Sequence, residues 1–250
     1  MSKQDVFNDQ YSRYYNLFYA GKNYSSEVEY IDRTIKRFHP AASKVLEFGS
    51  GTGGHGLLLQ DRGYDMHGVE LSEEMAKIAR SKGYPCTVGS MVDVSVDATY
   101  DVVIALFHVV SYINSNADLI QLFRNARKHL SSEGIFVFDV WFTPAVIFQM
   151  PEVRVKRAKD NEIEVTRLAE PVLHHSKNVV DVNYHVYAKN IKDGSYSEFS
   201  ETHSMRHFSV PEIELLALNS GFTLIATEEF LTGHEPTINT WGVNFVLKAI

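Results

Sequence analysis

Apolar positions recur every third or fourth residue between Tyr24 and Phe38, which brings Val28, Ile31, Ile35 and Phe38 to one side of a helix that Pro40 ends. The pattern then shortens. Lys44-Val-Leu-Glu-Phe predicts a short buried strand, Gly49 to Gly54 a tight turn, and the residues to about Arg62 a helix. The alternation repeats with a strand at Met66 to Glu70, a helix at Glu73 to Lys82, a short strand at Cys86 to Val88 and a strand at Tyr100 to Leu106. A helix at Asp118 to Leu130 and an apolar run at Ile135 to Val140 follow. Five strands alternating with helices predict an α/β, doubly wound, mostly parallel sheet.

Beyond Trp141 the period drops to two, over Glu162 to Leu168, Asn178 to Lys189 and Tyr196 to His207, with Asn, Asp and Gly turn signals between the runs. This predicts an antiparallel β insertion. A helix opened by Val210-Pro211-Glu212 and strands at Thr223 to Leu231 and Trp241 to Ala249 predict a terminal antiparallel hairpin, which brings the sheet to seven strands. The expected domains are therefore a helical cap over 1–40, a core over 41–141 and 208–250, and the insertion over 142–207.

A length of 250 residues fits one α/β domain with an insertion better than two independent domains. A net charge of -7 with scattered Lys and Arg offers no basic field for phosphate backbones, so no nucleic-acid partner is expected. Cys86 is the single cysteine, which excludes an intramolecular disulfide framework and any site built on several thiolates, and points to a reducing compartment. The start lacks a basic-then-apolar leader, and no apolar run approaches the roughly 18 residues of a membrane helix. A cytoplasmic protein without a membrane partner, monomeric or homodimeric, is the expectation.

The first strand runs into Glu47-Phe-Gly49-Ser-Gly51-Thr-Gly53-Gly54, where glycine lets the backbone turn sharply against a ligand. Glu70 ends the second strand at the spacing where an acid accepts hydrogen bonds from ribose hydroxyls. Together they imply an adenosine-containing cofactor. Gly49, Gly51 and Gly54 also satisfy the dinucleotide pattern G-x-G-x-x-G. Glu47 separates the two classes: a carboxylate there repels the pyrophosphate of NAD but favours the cationic methionine end of S-adenosyl-L-methionine.

The segments VLEFGSGTG, GVELSEEM, VGSM and YDVVIALFHVVSYI stand in the order of the class I S-adenosylmethionine-dependent methyltransferase motifs, and the chain resembles that family over roughly residues 40 to 140. The resemblance implies a Rossmann-like methyltransferase fold and release of S-adenosyl-L-homocysteine. A closer likeness, to deoxysugar N,N-dimethyltransferases, rests on YSRYYNLFY, on FDVWFTP and on the strand-rich insertion. It implies that the N-terminal Tyr segment and the insertion close over the cofactor to form a pocket for a small acceptor. It also implies that Glu47, Gly49, Gly51 and Gly53 hold the methionine end, Glu70 the ribose, and Leu71 and Met91 the adenine. Tyr14, Ser50, Met75, Ser90, Leu106 and Phe107 complete the expected cofactor set. Many relatives carry an acid where this chain has Ser90, which weakens an adenine hydrogen bond there.

His108 follows the fourth strand, whose carboxyl end faces the cofactor crevice, and so suits a general base; packing beneath the cofactor is the equal alternative. Tyr15, Tyr112, Trp141, Arg154 and Trp241 are the candidates for the acceptor side, with aromatic walls to exclude water and Arg154 to meet an anion. Tyr14, Tyr15 and Tyr19 equally suit anchoring of an N-terminal helix, and Arg154, Lys156 and Arg157 suit a solvated strand edge. His203 and His207 sit four apart on a strand, roughly 13 Å from one another, too far for one metal, and no metal site is expected. The expected activity is methyl transfer from S-adenosyl-L-methionine to N or O of a small polar metabolite such as a sugar. An NAD(P)-dependent oxidoreductase and a non-catalytic cofactor-binding module are the alternatives.

Overall fold

The structure is a computed structural model and describes residues 14, 17, 18 and 21–250. The chain divides into two compact units, Asn23–Gln149 with His207–Ile250, and Met1–Lys22 with Met150–Arg206.

The first unit is the α/β core. Helix α1 (Tyr24–Phe38) opens at Asn23, whose side chain accepts from the Ser26 N–H, and buries Val28, Ile31 and Ile35. Each of these contributes about 1.5–3 kcal/mol by leaving water. The apolar stripe of α1 belongs to the core cluster around Val45, Leu59 and Val102. Then follow β1 (Lys44–Phe48), α2 (Gly54–Gln60), β2 (Asp65–Glu70), α3 (Glu73–Ser81), β3 (Cys86–Val88), β4 (Tyr100–Ala105), a 3-10 turn (Val109–Tyr112), α4 (Asn116–His129), β5 (Leu130–Phe142) and α5 (Thr143–Gln149). The strands from β1 to β5 are parallel in the order β3-β2-β1-β4-β5.

Alternate residues of each strand feed opposite faces. Val45, Val102, Ile104, Ile135 and Val137 pack with α1, α2 and α3, while Leu46, Phe48, Val103, Phe136 and Phe138 pack with Leu122 and Phe123 of α4. The order reverses between β1 and β4, and the crevice at the carboxyl ends of those two strands is where such sheets bind ligands.

The second unit is an antiparallel meander of β6 (Arg154–Lys159), β7 (Ile163–His174), β8 (Val179–Asn190) and β9 (Tyr196–Phe208, whose last two residues lie in the core unit). Three strands were expected and four form. Asp160 makes the first hairpin by accepting from the backbone N–H groups of Glu162 and Ile163, and this lets the basic Arg154–Lys159 run pair as an exposed edge strand. Tyr14 and Phe18 pack on Val165, Val186 and Ala188, and the Arg167 guanidinium lies between the rings of Phe18 and Tyr184.

The core resumes with α6 (Val210–Leu218), β10 (Phe222–Glu229) and β11 (Gly242–Ala249), and β11 is antiparallel to both β10 and β5. The core sheet thus has seven strands, as expected. Strand β5 begins earlier and ends later than its apolar run, because its last residues, Trp141 and Phe142, pair with His207 and Phe208. No helix among the described residues is long and apolar enough to cross a membrane.

Candidate active site

The turn after β1 has a built shape. Gly49 has φ +66°, and a Cβ placed on it would lie 2.8 Å from Cγ1 of Val109, so both conformation and space require glycine. Gly51 has φ +55° and nothing within 4 Å of where its Cβ would be. Its side toward the crevice is open. The Gly51 N–H donates to Oε2 of Glu70 at 2.8 Å, and the Ser72 N–H donates to Oε1 at 2.8 Å. Burial pushes the Glu70 carboxyl above its ordinary range, opposed by backbone donors at Ser72, Gly51 and Leu71. Beside it Leu71 is 68% exposed, an uncovered apolar side chain at the end of β2.

Beneath the turn lies Glu47, 1% exposed. Its Oε2 accepts from the Tyr84 hydroxyl at 2.6 Å, and its Oε1 lies 3.8 Å from Nδ1 of His55. The other ring nitrogen of His55 is 2.6 Å from Glu27 on α1, and the Tyr24 ring stands edge-on to His55. The Tyr84 hydrogen bond ties Glu47 into the protein beneath the turn, while 3.8 Å to His55 is beyond hydrogen-bond reach.

Across the switch point, the chain leaves β4 through Phe107 and His108, with φ +64° and +61°. Two successive non-glycine residues in the left-handed region cost about 1–3 kcal/mol each and persist only where the surroundings hold them. Asp139 on β5 does the holding. Its Oδ2 lies 2.7 Å from His108 Nδ1 and accepts from the His108 backbone N–H at 3.2 Å. Burial alone would push the Asp139 carboxyl up, but the charge and hydrogen bonds of His108 outweigh it and hold the carboxyl below its ordinary range. The His108 side chain keeps 24% of its surface exposed. Trp141 meets its ring edge-on at 6.3 Å, Trp241 meets Trp141 edge-on at 5.8 Å, and the Trp241 indole N–H donates to Gln149 of α5 at 2.6 Å.

The core therefore brings together the expected Glu47, Gly49, Ser50, Gly51, Gly53, Glu70 and Leu71 on one side and Phe107, His108, Trp141 and Trp241 on the other. Ser90 and Met91 are half-buried in the loop after β3, where the Ser90 hydroxyl accepts from the Val92 N–H, and Tyr112 is half-buried in the 3-10 turn. Met75 and Leu106 are each 3% exposed. Tyr14 and Arg154 belong to the other unit, Tyr14 buried and stacked on Phe199 and Arg154 exposed on β6. Tyr15 and Tyr19 lie outside the described residues. Sequence reasoning misses Asp139, Tyr84, His55 and Gln149; for Asp139 a signal is present, an acid inside the apolar run Phe136 to Val140.

A family model described as a methyltransferase domain matches residues 23–227, most of the chain. The chain belongs to the methyltransferase-domain family. The nicotinamide alternative falls with that match. This methyltransferase is 26% identical, over 88% of its length and 91% of the relative, to dTDP-3-amino-3,4,6-trideoxy-alpha-D-glucopyranose N,N-dimethyltransferase of Streptomyces venezuelae. It is 24% identical, over 92% of its length and 89% of the relative, to dTDP-3-amino-3,6-dideoxy-alpha-D-glucopyranose N,N-dimethyltransferase of Streptomyces fradiae. Among solved structures, the sugar N-methyltransferase KedS8 from Streptoalloteichus sp superposes with a TM-score of 0.81 at 23% identity, over 98% of this methyltransferase and 97% of that chain. That likeness carries the fold.

Proposed function

We propose that this methyltransferase uses S-adenosylmethionine to methylate the nitrogen of a small amino sugar, with a sugar hydroxyl as the alternative acceptor. The observation that carries the cofactor reading is the open left-handed Gly51, tied by its N–H to the buried Glu70 carboxylate. When bound, S-adenosylmethionine supplies a methyl group on a positively charged sulfur. Gly49, Ser50, Gly51 and Gly53 lie against its methionine end, and the buried Glu47 charge favours a cation there. Glu70 accepts from the ribose hydroxyls, and Leu71 and Met91 cover the adenine.

Trp141, Trp241 and Tyr112 wall the acceptor side, and His108 takes the proton that an amine loses once it is methylated. The names of the relatives, which act on amino sugars carried by a nucleotide, support nitrogen as the reactive atom. The test is release of S-adenosylhomocysteine with dTDP-3-amino-3,6-dideoxy-α-D-glucopyranose, alongside calorimetric titration with S-adenosylmethionine. Saturable binding and turnover are expected. Binding without turnover on any amino sugar overturns the acceptor, and absence of binding overturns the cofactor.

A further inference from the structure

His108 and Asp139 come from neighbouring strand ends and form a pair with an unusual degree of isolation. Asp139 is 1% exposed, and its Oδ1 has no hydrogen-bond partner among the described residues. Its Oδ2 accepts from the backbone N–H of His108 and lies 2.7 Å from the ring's Nδ1. Asn244 stands directly opposite on β11. His55 is a further titratable group whose charge reaches Asp139, and its own ring is tied to Glu27. A buried carboxylate committed to one imidazole is costly unless that imidazole presents an N–H to it. The left-handed backbone at Phe107 and His108 brings the same residue to Asp139 through both its main chain and its ring.

We propose that Asp139 is a positioning residue: it holds the His108 ring with its proton on Nδ1, so that the Nε2 lone pair is left to take the proton the acceptor releases. This rests on the reading of His108 as the base. In a neutral imidazole, the hydrogen bond made by one nitrogen decides which nitrogen carries the proton. The acceptor N–H bond breaks with its electron pair staying on nitrogen, and the proton moves to Nε2. The resulting imidazolium lies against the Asp139 carboxylate and then returns its proton to water. Asp139 stays ionised throughout.

Two measurements decide it. Two-bond 1H–15N correlation spectra of the 15N-labelled protein, assigned with His108→Gln, read the tautomer directly, with and without S-adenosylhomocysteine. A proton on Nδ1 and a bare Nε2 are expected at the pH of the assay; a proton on Nε2, or on both nitrogens, overturns the proposal. This measurement needs no Asp139 variant to fold and no known acceptor.

Kinetics with dTDP-3-amino-3,6-dideoxy-α-D-glucopyranose form the second arm. Asp139→Asn is expected to lower kcat about 100-fold with acceptor KM changed less than about threefold, and to cost nothing further in the His108→Gln background. A loss that persists in that background makes Asp139 a brace of the fold and overturns the proposal. Unchanged turnover in His108→Gln sinks the base reading itself, whereas slow His108→Gln beside normal Asp139→Asn sinks only this inference. If no amino sugar is turned over, the acceptor reading fails and the tautomer still judges Asp139.

Discussion

The two sides of the crevice are built from the same kind of strand end by opposite means. After β1 the chain turns on glycines, the polar groups of the turn are satisfied by the backbone and by Glu70, and no non-glycine residue there holds a positive φ. After β4 the chain turns on Phe107 and His108, which hold the same left-handed conformation with full side chains. The first side turns on its main chain and spends no side chain on the bend. The second accepts strain so that a titratable ring emerges at the sheet end, anchored from behind by a buried acid. Binding and proton handling make different demands on a backbone.

Substitution separates the two sides, and the largest effect belongs to Gly49. Gly49→Ala combines a disfavoured left-handed φ with a collision at Val109, and about 3 kcal/mol of stability is expected to be lost in urea unfolding. Gly63→Ala, where φ is +95° but nothing stands within 4 Å, is expected to lose only about 1–2 kcal/mol. Equal losses would show that conformation alone matters at the turn.

Next comes Glu70→Ala, which strips two backbone N–H groups of their acceptor and removes the proposed ribose contact. S-adenosylmethionine is expected to bind about 30- to 100-fold more weakly by calorimetry, about 2–3 kcal/mol. An unchanged dissociation constant would remove Glu70 from the cofactor site.

A pH effect follows from the same residue. Burial raises the Glu70 carboxyl in the free protein, so its charge costs the fold stability as pH rises from the ordinary glutamate range through the raised value. Ribose hydroxyls donate to the charged form, which draws the bound-state value down again. Cofactor affinity is therefore expected to be full above the raised value and to weaken as pH falls through it, by at most about tenfold per unit. Glu70→Gln should bind with a flat profile over that window. A wild-type profile equally flat would leave the carboxylate without a ligand role.

The smallest effect on folding belongs to the opposite side. Asn tolerates the left-handed region and Asp139→Asn removes the buried charge that would lose its partner, so the double variant His108→Asn/Asp139→Asn is expected to shift the thermal midpoint by the equivalent of only about 1 kcal/mol while turnover falls sharply. A large loss of stability would mean that the His108 pair is there to hold β4 and β5 together.

Much of the glycine side is legible in the sequence alone, because its signals are local. The bend, the spacing to Glu70 and the strand rhythm each lie within about twenty residues of chain. The same logic places His108, from its position just past a parallel strand. It does not place its partner: Asp139 reads as one acid in an apolar run, and only the pairing of β4 with β5 reveals what it faces. Tyr84 is a similar case, 37 positions from the Glu47 it donates to. The short α5 carries no clear periodic signal in its seven residues, although it supplies Gln149 to the Trp241 indole. Charge and resemblance both single out Glu47, but neither reveals the Tyr84 hydroxyl that donates to it.

The chain holds two tryptophans, and they are the pair that stand edge to face beside His108. Light absorbed by indole is therefore re-emitted from this one corner of the molecule. A guest settling against the pair, or a proton arriving on the neighbouring imidazole, alters that glow at its source. The protein carries its own built-in optical gauge of what occupies the acceptor side.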